Sequence, residues 1–418
     1  MNQILALPME VRLVAAFVLG ACVGSAANWA IYGLAWNPRP ISPWSWPDRS
    51  APRRRCRDRL PIVGWFGLRR EAGLHGTCFW VRPMLVELLC GIGFVWLYWW
   101  EVGVMGLLPM GLAQVAVPEL STVLHLQFVA HAVLIALMLA ASLIDVDEKI
   151  IPDEITVTGT LIGLLLAAAW PWSLLPCPTP VGVEFLSLAS PNDWPVGLDG
   201  SPNTVSLCLG LACWLAWCVA IMPRSWYSRH GWWRAVRLSV ARTVREPSTY
   251  RILRMALIGS LAIVLVWFQG GFGWRGLLSA LVGVAAGGGL IWAVRIIGYA
   301  TLRREAMGFG DVTLMAMMGA FLGWQPCLVI FFLAPFAGLA VGVLRLILFR
   351  DKEIPYGPFL CLAALLLIVQ WNAVWNYTQD AFALGWLVPI VMLFCLAMMT
   401  AMLGLWRLIL GLFRQHRA

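Results

Sequence analysis

The 418 residues are 61% hydrophobic and only 12% charged, with a mean hydropathy of +0.79 and a formal net charge of +9. Such a chain exposes too little polar surface to be a soluble globule of this length, so it reads as an all-α polytopic membrane protein. The excess of Arg is read as membrane topology and attraction to anionic lipid; no nucleic-acid partner is expected, because no recognition module frames the Arg clusters.

Apolar stretches able to cross a bilayer as helices lie near 11–34, 84–108, 122–144, 155–176 and 204–222. Six more follow near 255–270, 276–299, 312–325, 326–349, 358–376 and 383–406, the stretch 312–325 being short. The expected fold is a transmembrane helical bundle of about 9–11 segments. The first stretch has neither a charged leading region nor a small-residue cleavage site, so it reads as a retained helix.

Basic loops stay on the cytoplasmic side. Residues 35–83 hold ten Arg and residues 223–254 hold eight, whereas 177–203 has none but carries Glu184, Asp193 and Asp199. Alternation from these anchors puts the N-terminus outside and the C-terminus, with Arg407, Arg414 and Arg417, inside. The run from Arg224 to Arg254, spaced with Trp226, Trp232 and Trp233, has the composition of an interfacial amphipathic segment or of a positive-inside anchor. Eight of the eleven Cys fall in the spans and Cys177 is the one expected outside, so disulfides are not expected.

The chemistry concentrates in two places. ASLIDVDEKIIPDEIT closes the third span and sets Asp145 at its cytoplasmic mouth. MGFGDVTLMAMMGAFLGW sets Asp311 on the same face, after Gly308 and Gly310. Taken singly, Asp145 can simply end a helix in water and Asp311 can cap one. Taken together, two carboxylates at one membrane face can share a proton, one acting as base toward water and the other as acid toward a carbonyl. The glycines suit such a pair because, without Cβ, they allow close backbone approach and positive φ. Asp147, Glu148 and Lys149 read as a solvated turn, and Asp153 after Pro152 as the cap of the next helix. Asp153 is also suited to receive a positively charged peptide. Glu87 lies inside the second span, where a carboxylate is a functional candidate by default.

These residues resemble the type IV prepilin peptidases, membrane aspartic proteases with a GxGD core. Ile144-Asp145 and Ile151-Pro152-Asp153-Glu154-Ile155-Thr156 are similar to the family's IDxxxxxIPDxLT. Gly308, Gly310, Asp311, Leu314, Ala316, Gly319, Ala320, Leu322, Gly323 and Trp324 match GxGDxKLxAxxGAxLGW. IPYGPFLCLAALL from Ile354, with Gly357 and Pro358, resembles IPFGPFLALG. Gly20, Gly24, Ser25, Asn28 and Tyr32 stand at the spacing of the family's first helix, and LPIVGW and VRPMLVELL resemble IPVLSW and RYPLVELL.

The resemblance implies a bacterial inner-membrane enzyme. It would remove the basic leader of type IV prepilin-like and pseudopilin precursors at the cytoplasmic face, with Asp145 and Asp311 catalytic and no cofactor for cleavage. It also implies a second activity, N-methylation of the product with S-adenosylmethionine. Two departures stand out. The first loop offers only Cys56, Cys78 and His75 where relatives often hold zinc with four thiolates, so zinc is not expected. Thr313 stands where the family has Lys.

The domains expected are an N-terminal region over 1–110 with a basic cytoplasmic loop, a peptidase core over 121–376 with an insertion at about 171–275, and an extra C-terminal transmembrane helix over 383–418. Rival readings are a presenilin-type protease, for which a PAL motif is missing, a proton-coupled transporter, for which internal repeats are missing, and a catalytically silent pilus or secretion assembly protein.

Overall fold

The computed structural model describes residues 7–48, 50–108, 120–179, 182–192, 194–195, 197–198, 203–222, 245–302, 307–348 and 355–415. Within these, every one of the eleven apolar stretches carries a helix. The order begins with α1 (Met9–Gly33), α2 (Val81–Tyr98), α3 (Leu120–Glu148), α4 (Asp153–Ala169), α5 (Thr204–Ala220) and α6 (Pro247–Gln269). It continues with α7 (Gly271–Leu302), α8 (Phe309–Leu322), α9 (Trp324–Leu348), α10 (Gly357–Val369), α11 (Trp371–Phe382) and α12 (Leu387–Gln415). A π-helical turn over Trp99–Gly103 prolongs α2. Strands β1 (Pro176–Thr179) and β2 (Gly182–Phe185) form an antiparallel hairpin that pairs Cys177 with Glu184.

The chain is a multi-pass membrane helical bundle. Among the described residues six helices, α1, α2 with its π turn, α3, α6, α7 and α12, are long and apolar enough to cross a bilayer, and α10 with α11 makes a seventh if the bent pair counts as one. Helices α5 and α8 and the apolar part of α9 are shorter. The expected total of about 9–11 segments is reached only by counting such short helices, each of which rises 1.5 Å per residue and falls short of a hydrocarbon core about 30 Å thick.

Two stretches end earlier than their hydropathy suggests. The stretch near 155–176 leaves the helix at Trp170 because Pro171 opens a 3-10 turn there. The stretch near 358–376 breaks at Gln370, where the chain bends by 95°. Beyond the bend, α11 is amphipathic. Trp371, Trp375 and Phe382 are buried while Asn376 and Asp380 face out, so the helix lies across the bundle end.

That end is closed by the hairpin. Trp371 Nε1 donates to the Pro176 carbonyl, Trp324 Nε1 to Leu188 and Gln325 Nε2 to Ser187. At the opposite end, Arg82 bridges Asp147 at 2.7 Å, and Glu148 accepts the Trp36 and Asn37 amides, tying the Arg-rich first loop to the end of α3 that carries Asp145. Arg407 on α12 donates to the Thr301 carbonyl near the end of α7.

Helix α8 is apolar all round and its residues 311–322 are all buried, which makes it the centre of the bundle between α4 and α7. Small residues allow this. A Cβ on Gly319 would come 2.1 Å from the Gly283 carbonyl oxygen, and the reverse holds for Gly283, so the backbones of α7 and α8 touch. Gly319→Ala is therefore expected to destabilise the bundle by about 1–3 kcal/mol, because the obstacle is backbone and cannot swing away. Thermal unfolding in detergent checks this; an unchanged midpoint would contradict the contact. Helices α6 and α12 leave most of their apolar side chains exposed, as lipid-facing helices do.

Candidate active site

Helix α3 carries Asp145 in its last full turn, and the chain then reverses through Lys149 at φ 57 before α4 begins. Pro152 takes the N-cap of α4 and Asp153 its first helical position, where an exposed carboxylate favours the helix dipole without making a side-chain cap. Asp311 is the third residue of α8, with Gly308 at the N-cap, and the Gly308 amide faces its carboxylate. Gly357 and Pro358 open α10, Pro358 sitting in the first turn where its missing N–H is not needed.

These three helix ends converge. A Cβ on Gly310 would lie 2.8 Å from Ile151 Cβ, and one on Gly357 would lie 2.6 Å from Asp145 Oδ2 and 3.0 Å from Ile151 Cδ1. Asp145 and Asp311 are each 6% exposed, and the Asp145 charge acts directly on Asp311. Asp145 Oδ2 is buried without a hydrogen-bond partner among the described residues, while the Gly357 amide faces the same carboxyl group. Two acids, far apart in sequence, thus come close enough for the charge of one to act on the other, at the end of the bundle tied to the basic loop.

The expectations for neighbouring residues need correction in places. Gly310 is required for close approach, but Gly308 has φ −66 and room for a Cβ, so neither positive φ nor contact demands glycine there. Asp147 and Glu148 do not form a free solvated turn; both anchor the first loop through Arg82 and the Trp36 and Asn37 amides. Thr313 turns its hydroxyl back to the Gly310 carbonyl at 3.1 Å, closing the first turn of α8. Cys177, expected on the outer side of the membrane, is buried in β1, at the end of the bundle away from the first loop. The Arg and Trp run over 224–244 lies outside the described residues. An apolar cavity of about 320 Å³ between α5, α7 and α8, lined by Trp217, Gly288, Trp292 and Thr313, opens on the face of α8 away from Asp311.

The N-terminal motif residues hold the first loop. Ser25 accepts from Trp44 Nε1, Asn28 donates to the Pro83 carbonyl and to Glu87, and Glu87 Oε2 accepts the Ile62 amide at 2.5 Å. Gly20 and Gly24 let α1 and α2 touch, each facing backbone of α2 at under 3 Å from a would-be Cβ. Within the loop, all five N–H donors of Arg54 are used: Nε and Nη2 bind Glu71 at 2.9 and 2.8 Å, and Nη1 and Nη2 reach the carbonyls of Ser42, Ser45 and Pro40. Arg70 binds Asp58, which also accepts the Arg55 amide at 2.6 Å. Sequence reasoning missed this clasp, although Asp58 and Glu71 were visible as two of the three acids in an Arg-rich loop.

The residues considered for zinc do not assemble a cage. Cys56 and Cys78 are exposed, His75 faces Glu71 at 3.7 Å, and among the described residues no three His, Cys, Asp or Glu side chains gather around a common point. Burial alone would raise the Asp58 carboxyl, but the hydrogen bonds from Arg70 and Arg55 hold it below its usual range. A depressed folded value stabilises the loop above the unfolded value of about 3.9 and is lost as pH falls through the folded value. Limited proteolysis should thus leave residues 40–75 protected at pH 5 and cut them only in stronger acid; cleavage already at pH 5 would contradict the clasp.

Residues 248–343 match the Type IV leader peptidase family; the match includes Gly308, Gly310 and Asp311 and begins inside the stretch read as an insertion. Curated relatives named prepilin leader peptidase/N-methyltransferase include one from Aeromonas hydrophila, 31% identical over 30% of this chain and 47% of its own length. One from Myxococcus xanthus is 23% identical over 79% of this chain and 62% of its own, and one from Dickeya chrysanthemi is 27% identical over 50% and 83%. The chain spans about half or less of the length of the first of these relatives. No solved structure matches it. The motif order, the approach of the two acids and these matches agree: over residues 248–343 the chain is similar to the type IV leader peptidase family.

Proposed function

We propose that the chain is an aspartic endopeptidase of the bacterial inner membrane that removes the leader of type IV prepilin-like and pseudopilin precursors at the cytoplasmic face. The observation that carries this reading is the buried pair of Asp145 and Asp311, one carboxylate oxygen of which has no partner. The membrane face is read from the Arg-rich first loop, which is tied to the same bundle end as Asp145.

In the reaction, the ionised acid takes a proton from water, and the water oxygen bonds to the scissile carbonyl carbon. The carbonyl π pair moves onto oxygen, which accepts a hydrogen bond from the protonated acid. The adduct collapses, the C–N bond breaks, and the amine leaves with a proton from the dyad. Asp153 and Glu154, both exposed in the first turn of α4, suit the basic residues of a leader. Lipid is the natural surround.

We assign no methyl transfer step. Ser25, Asn28 and Glu87 are engaged in holding the first loop, a packing role for these motif residues. The test of the peptidase is cleavage of a panel of co-expressed prepilin-like precursors in membranes, read by mass spectrometry of the new N-terminus. Trimming next to the apolar helix is expected; an inert wild type across the panel would overturn the reading in favour of a transporter or an assembly protein.

A further inference from the structure

Tyr356 stands where the motif it resembles has Phe. It occupies the N-cap of α10, and its carbonyl accepts the Phe359 and Leu360 amides at 3.0 and 3.3 Å, which fixes its backbone. The next residue, Gly357, lies against Asp145 Oδ2, so the Tyr356 backbone is one residue from that acid. Its half-buried ring packs on the core, and its hydroxyl feels the charge of Asp311. Among the described residues that hydroxyl has no hydrogen-bond partner. An uncommitted donor thus stands next in the chain to the residue that packs on Asp145 and within electrostatic reach of Asp311, in a chain that has Thr313 rather than Lys at another departure from the motif.

We propose that the Tyr356 hydroxyl donates a hydrogen bond to the scissile carbonyl oxygen as that oxygen becomes negative, a specific aid to this chain's cleavage that rests on the peptidase reading. The phenol keeps its proton: as water adds, the π pair moves to the carbonyl oxygen and the phenolic O–H is only the donor to it. Burial, and then the Asp311 carboxylate, push the hydroxyl up to about 12, so it remains a donor throughout the working range. Donors aimed at developing charge act on the transition state more than on bound substrate, so the effect belongs in kcat.

The experiment compares wild type with Tyr356→Phe on a purified prepilin-like precursor, after confirming equal accumulation and thermal stability of both proteins. The expected result is a kcat lower by about 10- to 100-fold, with KM within about 2-fold and an unshifted pH profile. Replacing Tyr356 by a fluorinated tyrosine, which keeps the ring and ionises at lower pH, should introduce an alkaline loss of kcat that wild type lacks. An unchanged kcat in Tyr356→Phe would overturn the inference while leaving the peptidase standing, as would a loss accompanied by a shifted acidic limb, which would mean that the residue acts by positioning Asp311. A wild type that cuts no precursor would overturn the peptidase and this inference together.

Discussion

Asn at either Asp145 or Asp311 is expected to lower leader cleavage on the order of 10³-fold or more, with the protein still accumulating in membranes. Asn keeps the volume of Asp and removes a buried charge, so the change tests chemistry rather than packing. Each acid depends on the other. One must hold a proton while its partner does not, and an amide can neither accept the proton of water nor donate an acidic one. The double variant should therefore be no worse than either single one, because residues that act as a unit lose their effect together. Asp153→Asn should differ, weakening precursor binding with a smaller change in kcat, since Asp153 is exposed in the first turn of α4. Initial rates with membranes of equal protein content settle the matter; full activity in either single variant would remove the dyad.

Arg54→Met should open the first loop. The Arg54 guanidinium spends every donor on Glu71 and on three loop carbonyls, and the Glu71 side chain is fully buried. Removing one partner leaves a buried carboxylate uncompensated, a loss of about 3–5 kcal/mol, whereas replacing both charges by well-packed apolar groups is often neutral. Arg54→Met together with Glu71→Met should thus recover much of what Arg54→Met alone loses. Protease protection of residues 40–75 reports the loop directly. If Arg54→Met is as protected as wild type, the clasp does not hold the loop.

Several features were legible from local pattern. Each apolar stretch became a helix, since the need to satisfy backbone groups in hydrocarbon leaves few alternatives. Asp145 and Asp311 stood out as carboxylates at the edges of such stretches, and the three motifs lay in family order. Gln370 shows the limit. Residues 358–376 are apolar on average, yet Trp371, Trp375 and Phe382 fall on one helical face and find a partner in the hairpin end, so the chain bends rather than crosses. Average hydropathy is blind to that choice because it weighs the residues of a stretch and not the surface waiting for them.

What the amino-acid sequence determined by itself is the class of the protein, the rough position of its helices and the presence of Asp145 and Asp311 at the edges of apolar stretches, all of which depend on the solvation of single residues and short runs. What only the tertiary structure decided is which groups meet. Ile151 fits between Gly310 and Gly357, Asp147 and Glu148 anchor the first loop instead of facing water, Arg54 closes on Glu71, and Gly357 packs on Asp145. The reason is physical. Burial is encoded along the chain, but a hydrogen bond or a shared proton requires atoms within about 3 Å, and that distance is set by how helices from remote parts of the chain pack.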